Sequence, residues 1–124
     1  MKRWFNYIDG AFKSYSSKKR AILNPYTGKK IAEVTDSDRR DVEAAVEAAK
    51  KAFESWKCTS SSYRSALFLK FAELLEKEKK NLAQLESEQQ GKPLIRALFE
   101  VESSIENLRF FAGACRILHT ASPR

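Results

Sequence analysis

The chain is poor in the residues that usually advertise chemistry. Its 124 residues hold two cysteines, one histidine, four glycines and three prolines. Two cysteines, Cys58 and Cys115, provide neither a metal-ligand spacing nor a disulfide framework, and fit a reduced, cytoplasmic setting. A single histidine, His119, excludes a multi-histidine metal centre and reads as an exposed residue near the C-terminus. No glycine-rich phosphate loop is present, since Gly91-Lys92-Pro93 lacks the preceding glycine spacing, and Lys92 is expected to lie exposed at a helix end. No apolar run is long enough to cross a bilayer, and Trp4 to Asp9 is too short and polar for a signal core.

Acidic residues are scarce at one end. The first 30 residues carry eight basic side chains (Lys2, Arg3, Lys13, Lys18, Lys19, Arg20, Lys29, Lys30) against Asp9 alone, which accounts for the whole net charge of +7. A cluster such as Lys18-Lys19-Arg20 can bind phosphates. No finger, helix-turn-helix or aromatic RNA-binding motif accompanies it, so a nucleic-acid partner is not expected. Lysines on a strand edge that discourage further pairing explain it more simply.

What remains is an ordinary globular composition, 43% hydrophobic and 31% charged. Tyr7-Ile8 and Ala11-Phe12 flank Asp9-Gly10, a dipeptide suited to a tight hairpin turn. Ala21-Ile22-Leu23 and Ile31 to Val34 flank Asn24-Pro25-Tyr26-Thr27-Gly28, in which Pro25 presets φ and Gly28 supplies a left-handed residue. Asp36-Ser37-Asp38 offers an N-cap, after which the apolar period changes to about 3.6. Val42, Ala45, Val46, Ala49, Ala52 and Phe53 predict a core-facing stripe on a helix through Glu54. A second helix is expected from caps at Ser60 to Ser62 to the stop at Gly91, with Leu67, Phe71, Leu74, Leu75, Leu82 and Leu85 inward. A third, from Leu94 to Leu118, carries Leu94, Leu98, Val101, Ile105, Leu108, Ala112 and Cys115 on a core-facing seam. The fold class is α+β: two hairpin-like strand pairs followed by three amphipathic helices. The predicted division is a strand arm over 1–36, a three-helix segment over 37–118 and a divergent tail over 119–124.

These motifs, taken in order, resemble a known family. Tyr7-Ile8-Asp9-Gly10-x-Phe12, Asn24 to Gly28, Asp41-Val42-Glu43-x-Ala45-Val46, Ala52-Phe53-x-x-Trp56, Gly91-Lys92-Pro93 and Phe110-Phe111-Ala112-Gly113 are similar to the N-terminal region of NAD(P)-dependent aldehyde dehydrogenases. Those acting on betaine aldehyde, aminoaldehydes or semialdehydes are the nearest in character. The resemblance implies the start of a Rossmann-like α/β fold, truncated here, whose homo-oligomeric parent oxidises an aldehyde to an acid with NAD or NADP through a cysteine nucleophile. It implies no catalytic, cofactor-binding or metal residue in this chain, because neither Cys58 nor Cys115 sits in the family's nucleophile motif. The chain alone is expected to be inactive and without cofactor. Some family members hold a monovalent cation at positions that fall here on Leu23 and Gln89; glutamine brings no charge to such an ion, and Glu86 and Glu88 nearby read as a solvated helix face. The expected partners are the remainder of the enzyme or a full-length relative. The alternative is a non-catalytic module docking on a relative or an acidic partner through the basic arm and apolar helix faces.

Overall fold

The computed structural model describes residues 2–117, so His119 and the 119–124 tail lie outside the described residues. The elements run β1 (Lys2–Trp4), β2 (Asn6–Ile8), β3 (Ala11–Lys13), β4 (Lys19–Leu23), β5 (Lys30–Thr35), α1 (Arg39–Trp56), α2 (Ser61–Gln90) and α3 (Leu94–Ile117).

Both expected hairpins form. β2 and β3 pair antiparallel, with Tyr7 opposite Phe12. Asp9 and Gly10 between them both take positive φ, 54° and 75°, the twist a two-residue connection needs to match right-twisted strands. The Tyr7 and Phe12 rings meet edge to face, 5.1 Å between centroids. β4 pairs antiparallel with β5, with a register irregularity at Ile22/Leu23. A strand the sequence reading does not include completes this sheet: β1 lies parallel to β5, with Arg3 opposite Glu33, giving the order β1-β5-β4.

Local signals set the helix boundaries. Asp38 caps α1 by accepting the Arg40 amide at 2.9 Å, and Asp41 returns the bond to the Asp38 amide at 3.1 Å, a reciprocal capping box. At α2 the Ser60 hydroxyl accepts the Tyr63 amide at 3.2 Å. Gly91, φ +69°, ends α2 in the left-handed position, and the Pro93 carbonyl receives the Arg96 amide at 2.9 Å to start α3.

The chain divides into two compact units. One comprises the described residues up to Cys58 together with Glu88–Gly91, and the other Thr59–Ser87 with the residues from Lys92 onward. α1 thus groups with the strands, whereas the sequence reading places it with the other helices; its capped N-terminus is bonded to the strand region.

In the first unit Ile8 and Ala32 are the buried apolar residues; in the second they are Ala72, Ala83, Ala97, Ile105 and Ala112. α2 and α3 run antiparallel there: Lys79 pairs with Glu102 at 3.2 Å, and Arg109 lies 3.5 Å from Glu76.

The stripe predicted to face a core on α1 does not do so. Val42 is 58% exposed, Phe53 56%, and Ala45, Val46, Ala49 and Ala52 are exposed as well. On α2, Leu67, Phe71, Leu74 and Leu85 are likewise exposed, while Leu75 and Leu82 are half-buried. On α3 the seam is largely covered from Leu98 to Cys115, but Leu94 is exposed. Periodicity identifies an apolar face; it does not say that the same chain supplies the cover.

Candidate functional site

Asn24 organises the loop between β4 and β5. Its side-chain carbonyl accepts the amides of Tyr26 and Thr27 at 2.9 and 3.1 Å, and its main chain closes the loop through Gly28 N to Asn24 O and Asn24 N to Lys29 O, both 2.8 Å. Within the same unit the Gly91 backbone lies against this loop, so close that an added Cβ would stand 2.8 Å from Pro25 Cγ. The loop and the end of α2 therefore form one packed corner, with Leu23 and Gln89 both exposed. Asn24→Ala removes two local bonds, and is expected to lower stability by about 1 kcal/mol, read as a fall in the urea midpoint without a change in slope.

Lys92 departs from expectation. It is not an exposed helix-end lysine: its side chain is 18% exposed, and its ammonium lies 3.0 Å from Glu86 Oε1 while also donating to Glu100. The Glu100 bond, then the Glu86 bond, holds the ammonium above its ordinary pKa. Lys92 is therefore a fully charged clamp between the end of α2 and α3, not a poised base. Glu86, read from sequence as solvated, is half of that clamp.

Cys58 is exposed, its thiol directed at the Glu54 carbonyl at 3.7 Å, and Cys115 is half-buried on the α3 seam. Among the described residues no three of His, Cys, Asp and Glu cluster as metal ligands.

Gly10 and Gly28 sit in hairpin loops, Gly91 ends a helix and Gly113 lies inside α3, so none lies in a strand-to-helix turn where a pyrophosphate could approach backbone amides. The α1 N-terminus is already occupied by Asp38 and Asp41.

The basic arm is partly neutralised. Arg20 pairs with Asp36 at 2.7 Å, and Arg3 and Lys30 both approach Glu33, at 3.3 and 2.5 Å. The Lys30 bond, opposed by desolvation, keeps the Glu33 carboxyl below its usual pKa.

Exposed apolar surface is the conspicuous feature. Trp4, Phe12, Phe53, Trp56, Phe71 and Phe99 are all more than 40% exposed.

Comparison with known proteins accounts for the motifs. A profile of the aldehyde dehydrogenase family matches residues 12–123. The malonate-semialdehyde dehydrogenase of Bacillus pumilus is 41% identical over 110 residues, covering 88% of this chain and 23% of that protein. The mitochondrial aldehyde dehydrogenase of Leishmania tarentolae is 41% identical over 120 residues, 94% of this chain and 24% of its own length. Among solved structures, the NAD-dependent aldehyde dehydrogenase from Sinorhizobium meliloti superposes with a TM-score of 0.90 at 30% identity, covering 96% of this chain and 25% of that one. Betaine aldehyde dehydrogenase from Staphylococcus aureus, in complex with NAD+, gives 0.86 at 27%, covering 96% and 26%. The chain spans about a quarter of the length of each of these relatives. With the motif order, the hairpin-and-helix architecture and these matches in agreement, the chain belongs to the aldehyde dehydrogenase family.

Proposed function

We propose that this chain is the non-catalytic N-terminal scaffold of an NAD(P)-dependent aldehyde dehydrogenase. The whole enzyme would convert an aldehyde and water to a carboxylic acid, passing the hydride to the nicotinamide. The nucleophile, the base and the dinucleotide site belong to the other three-quarters of a family member. The observation that carries this reading is the set of apolar side chains on α1, α2 and α3 that the described residues leave exposed, in a chain whose relatives are four times as long. Covering such faces is worth roughly 25 cal/mol per Å², so the scaffold gains most of its stability on docking. No helix among the described residues is long and apolar enough to cross a membrane, and two free thiols suit the cytoplasm.

The test is reconstitution. The purified chain, given aldehyde and NAD+ or NADP+, is expected to form no reduced nicotinamide above the blank and to bind a hydrophobic dye. Added to the catalytic remainder of the Bacillus pumilus relative, it is expected to lose dye binding and restore turnover. Turnover by the chain alone, abolished by Cys58→Ser or Cys115→Ser, would overturn the reading. Association that weakens steeply with salt would instead point to docking through the basic arm.

A further inference from the structure

Asp41 is 2% exposed, yet no cation is bound to its carboxylate among the described residues. Five donors converge on it instead. Oδ1 accepts from Asn6 Nδ2 at 3.1 Å, Ser14 Oγ at 3.3 Å and the Tyr15 amide at 2.8 Å; Oδ2 accepts from the amides of Ser16 at 3.2 Å and Asp38 at 3.1 Å. Two of these donors are its own capping box and β2. The other three come from the segment between β3 and β4, which is not part of either sheet.

We propose that the Asp41 carboxylate is a charge-dependent latch that fastens the strap Ser14–Lys18 to the start of α1, and that neutralising it frees the strap while the helices stay folded. The chemistry is specific because every partner is a donor. Bonds to an ionised acceptor are about twice as strong as neutral ones. A protonated or amidated group at this position would set its own N–H or O–H against the Tyr15, Ser16 and Asp38 amides, which cannot turn into acceptors.

The surrounding groups favour the ionised form without competing for it. On α1, Arg40 donates to Asp38 at 2.7 Å and to the Tyr15 carbonyl at 3.0 Å, so it balances the repulsion between Asp38 and Asp41 while gripping the strap from the other side. β2 supplies only neutral Asn6, which also exchanges hydrogen bonds with Ser37. At the far end of the strap, the Asp36 amide donates to the Lys18 carbonyl at 2.9 Å and the Asp36 carboxylate pairs with Arg20, leaving that end attached when the latch opens. The Tyr15 amide bond, opposed by desolvation, holds the Asp41 carboxyl below its ordinary pKa. A depressed native pKa gives a contribution that is complete above the unfolded-state value and lost as pH falls through the native one. The latch is therefore closed at neutral pH and opens in acid.

Amide hydrogen exchange on the full chain tests this, read as protection factors so that the intrinsic pH dependence cancels. In the native protein the Tyr15 and Ser16 amides are expected to be protected at neutral pH and to lose protection as the pH drops below the usual aspartate range. Asp41→Asn is expected to cut their protection by about 10-fold or more at all pH values and leave the Ile105 amide unchanged. Ser14→Ala, which removes one neutral donor, is expected to have a much smaller effect. Unchanged protection of Tyr15 and Ser16 in Asp41→Asn would overturn the proposal. So would equal loss at Ile105, which would make Asp41 a global scaffold residue, or an equal effect of Ser14→Ala, which would remove charge as the cause.

Discussion

Gly91→Ala is expected to destabilise the protein by about 2–5 kcal/mol, one of the two largest single-residue effects. Two costs add. The residue sits at φ +69°, where an L side chain loses about 1–2 kcal/mol. The new Cβ would also stand 2.8 Å from Pro25 Cγ and 3.3 Å from the Tyr26 amide nitrogen. A proline ring has no distal rotamer with which to retreat, and Tyr26 N is bonded to Asn24 Oδ1, so the loop itself must shift. Overpacking of this kind costs about 1–3 kcal/mol. Gly28→Ala separates the two contributions, because Gly28 has almost the same φ, +67°, with nothing within 4 Å of an added Cβ. Urea denaturation should therefore show Gly28→Ala losing only the conformational part. Pro25→Ala placed on Gly91→Ala should recover roughly 1–2 kcal/mol of the loss. Equal penalties at positions 28 and 91, with no recovery from Pro25→Ala, would show that the packed corner contributes nothing.

The same corner marks the limits of what the sequence conveys. Asn24 to Gly28 and Gly91 are legible as a turn and a helix stop, because each signal is local. That the two touch is not legible, since over 60 residues separate them. β1 escapes for the same reason: Lys2-Arg3-Trp4 has no alternation and no turn, and it becomes a strand only because β5, some thirty residues later, offers an edge. Asp38 is readable as one of three adjacent cap candidates, whereas the return bond to Asp41 emerges only from the structure. The strap that Asp41 holds is invisible, because its donors are mostly backbone amides, which every sequence possesses. The apolar stripe of α1 is correctly located and its burial is not, since burial depends on what lies opposite. Lys92 shows the complementary error. Glu86 and Glu100 lie at separations that bracket a helix end, and only the antiparallel return of α3 brings both carboxylates to one ammonium.

Ile105→Ala is expected to cost about 3 kcal/mol, within the 2–5 kcal/mol range for truncating a buried isoleucine, and to dissolve the antiparallel packing of α2 and α3. Ile105 is 1% exposed and is the only large side chain among the described residues that is fully buried. Its buried companions in the second unit are Ala72, Ala83, Ala97 and Ala112, together with Ser65, whose small side chains cannot fill a hole left by three missing carbons. A body of about sixty residues commands only about 3–5 kcal/mol from its core, so the truncation consumes most of it. The cross-helix pairs Lys79–Glu102 and Glu76–Arg109 cannot compensate, because partly exposed ion pairs contribute about 0–1 kcal/mol each. Ile105→Val, which removes a single methylene, should cost about 1 kcal/mol and keep the hairpin. Ala97, 0% exposed, gives the converse experiment: Ala97→Leu overfills the same seam and should cost about 1–3 kcal/mol. Far-UV circular dichroism with urea would rank the three variants. If Ile105→Ala melted with the native protein, the buried alanines would hold α2 and α3 together without it, and the helices' exposed apolar sides could then be mutated without separating them. If it unfolds as expected, the second unit stands on one isoleucine, and docking onto the remaining part of a family member should rescue the variant, because binding to the folded form alone shifts its stability by mass action.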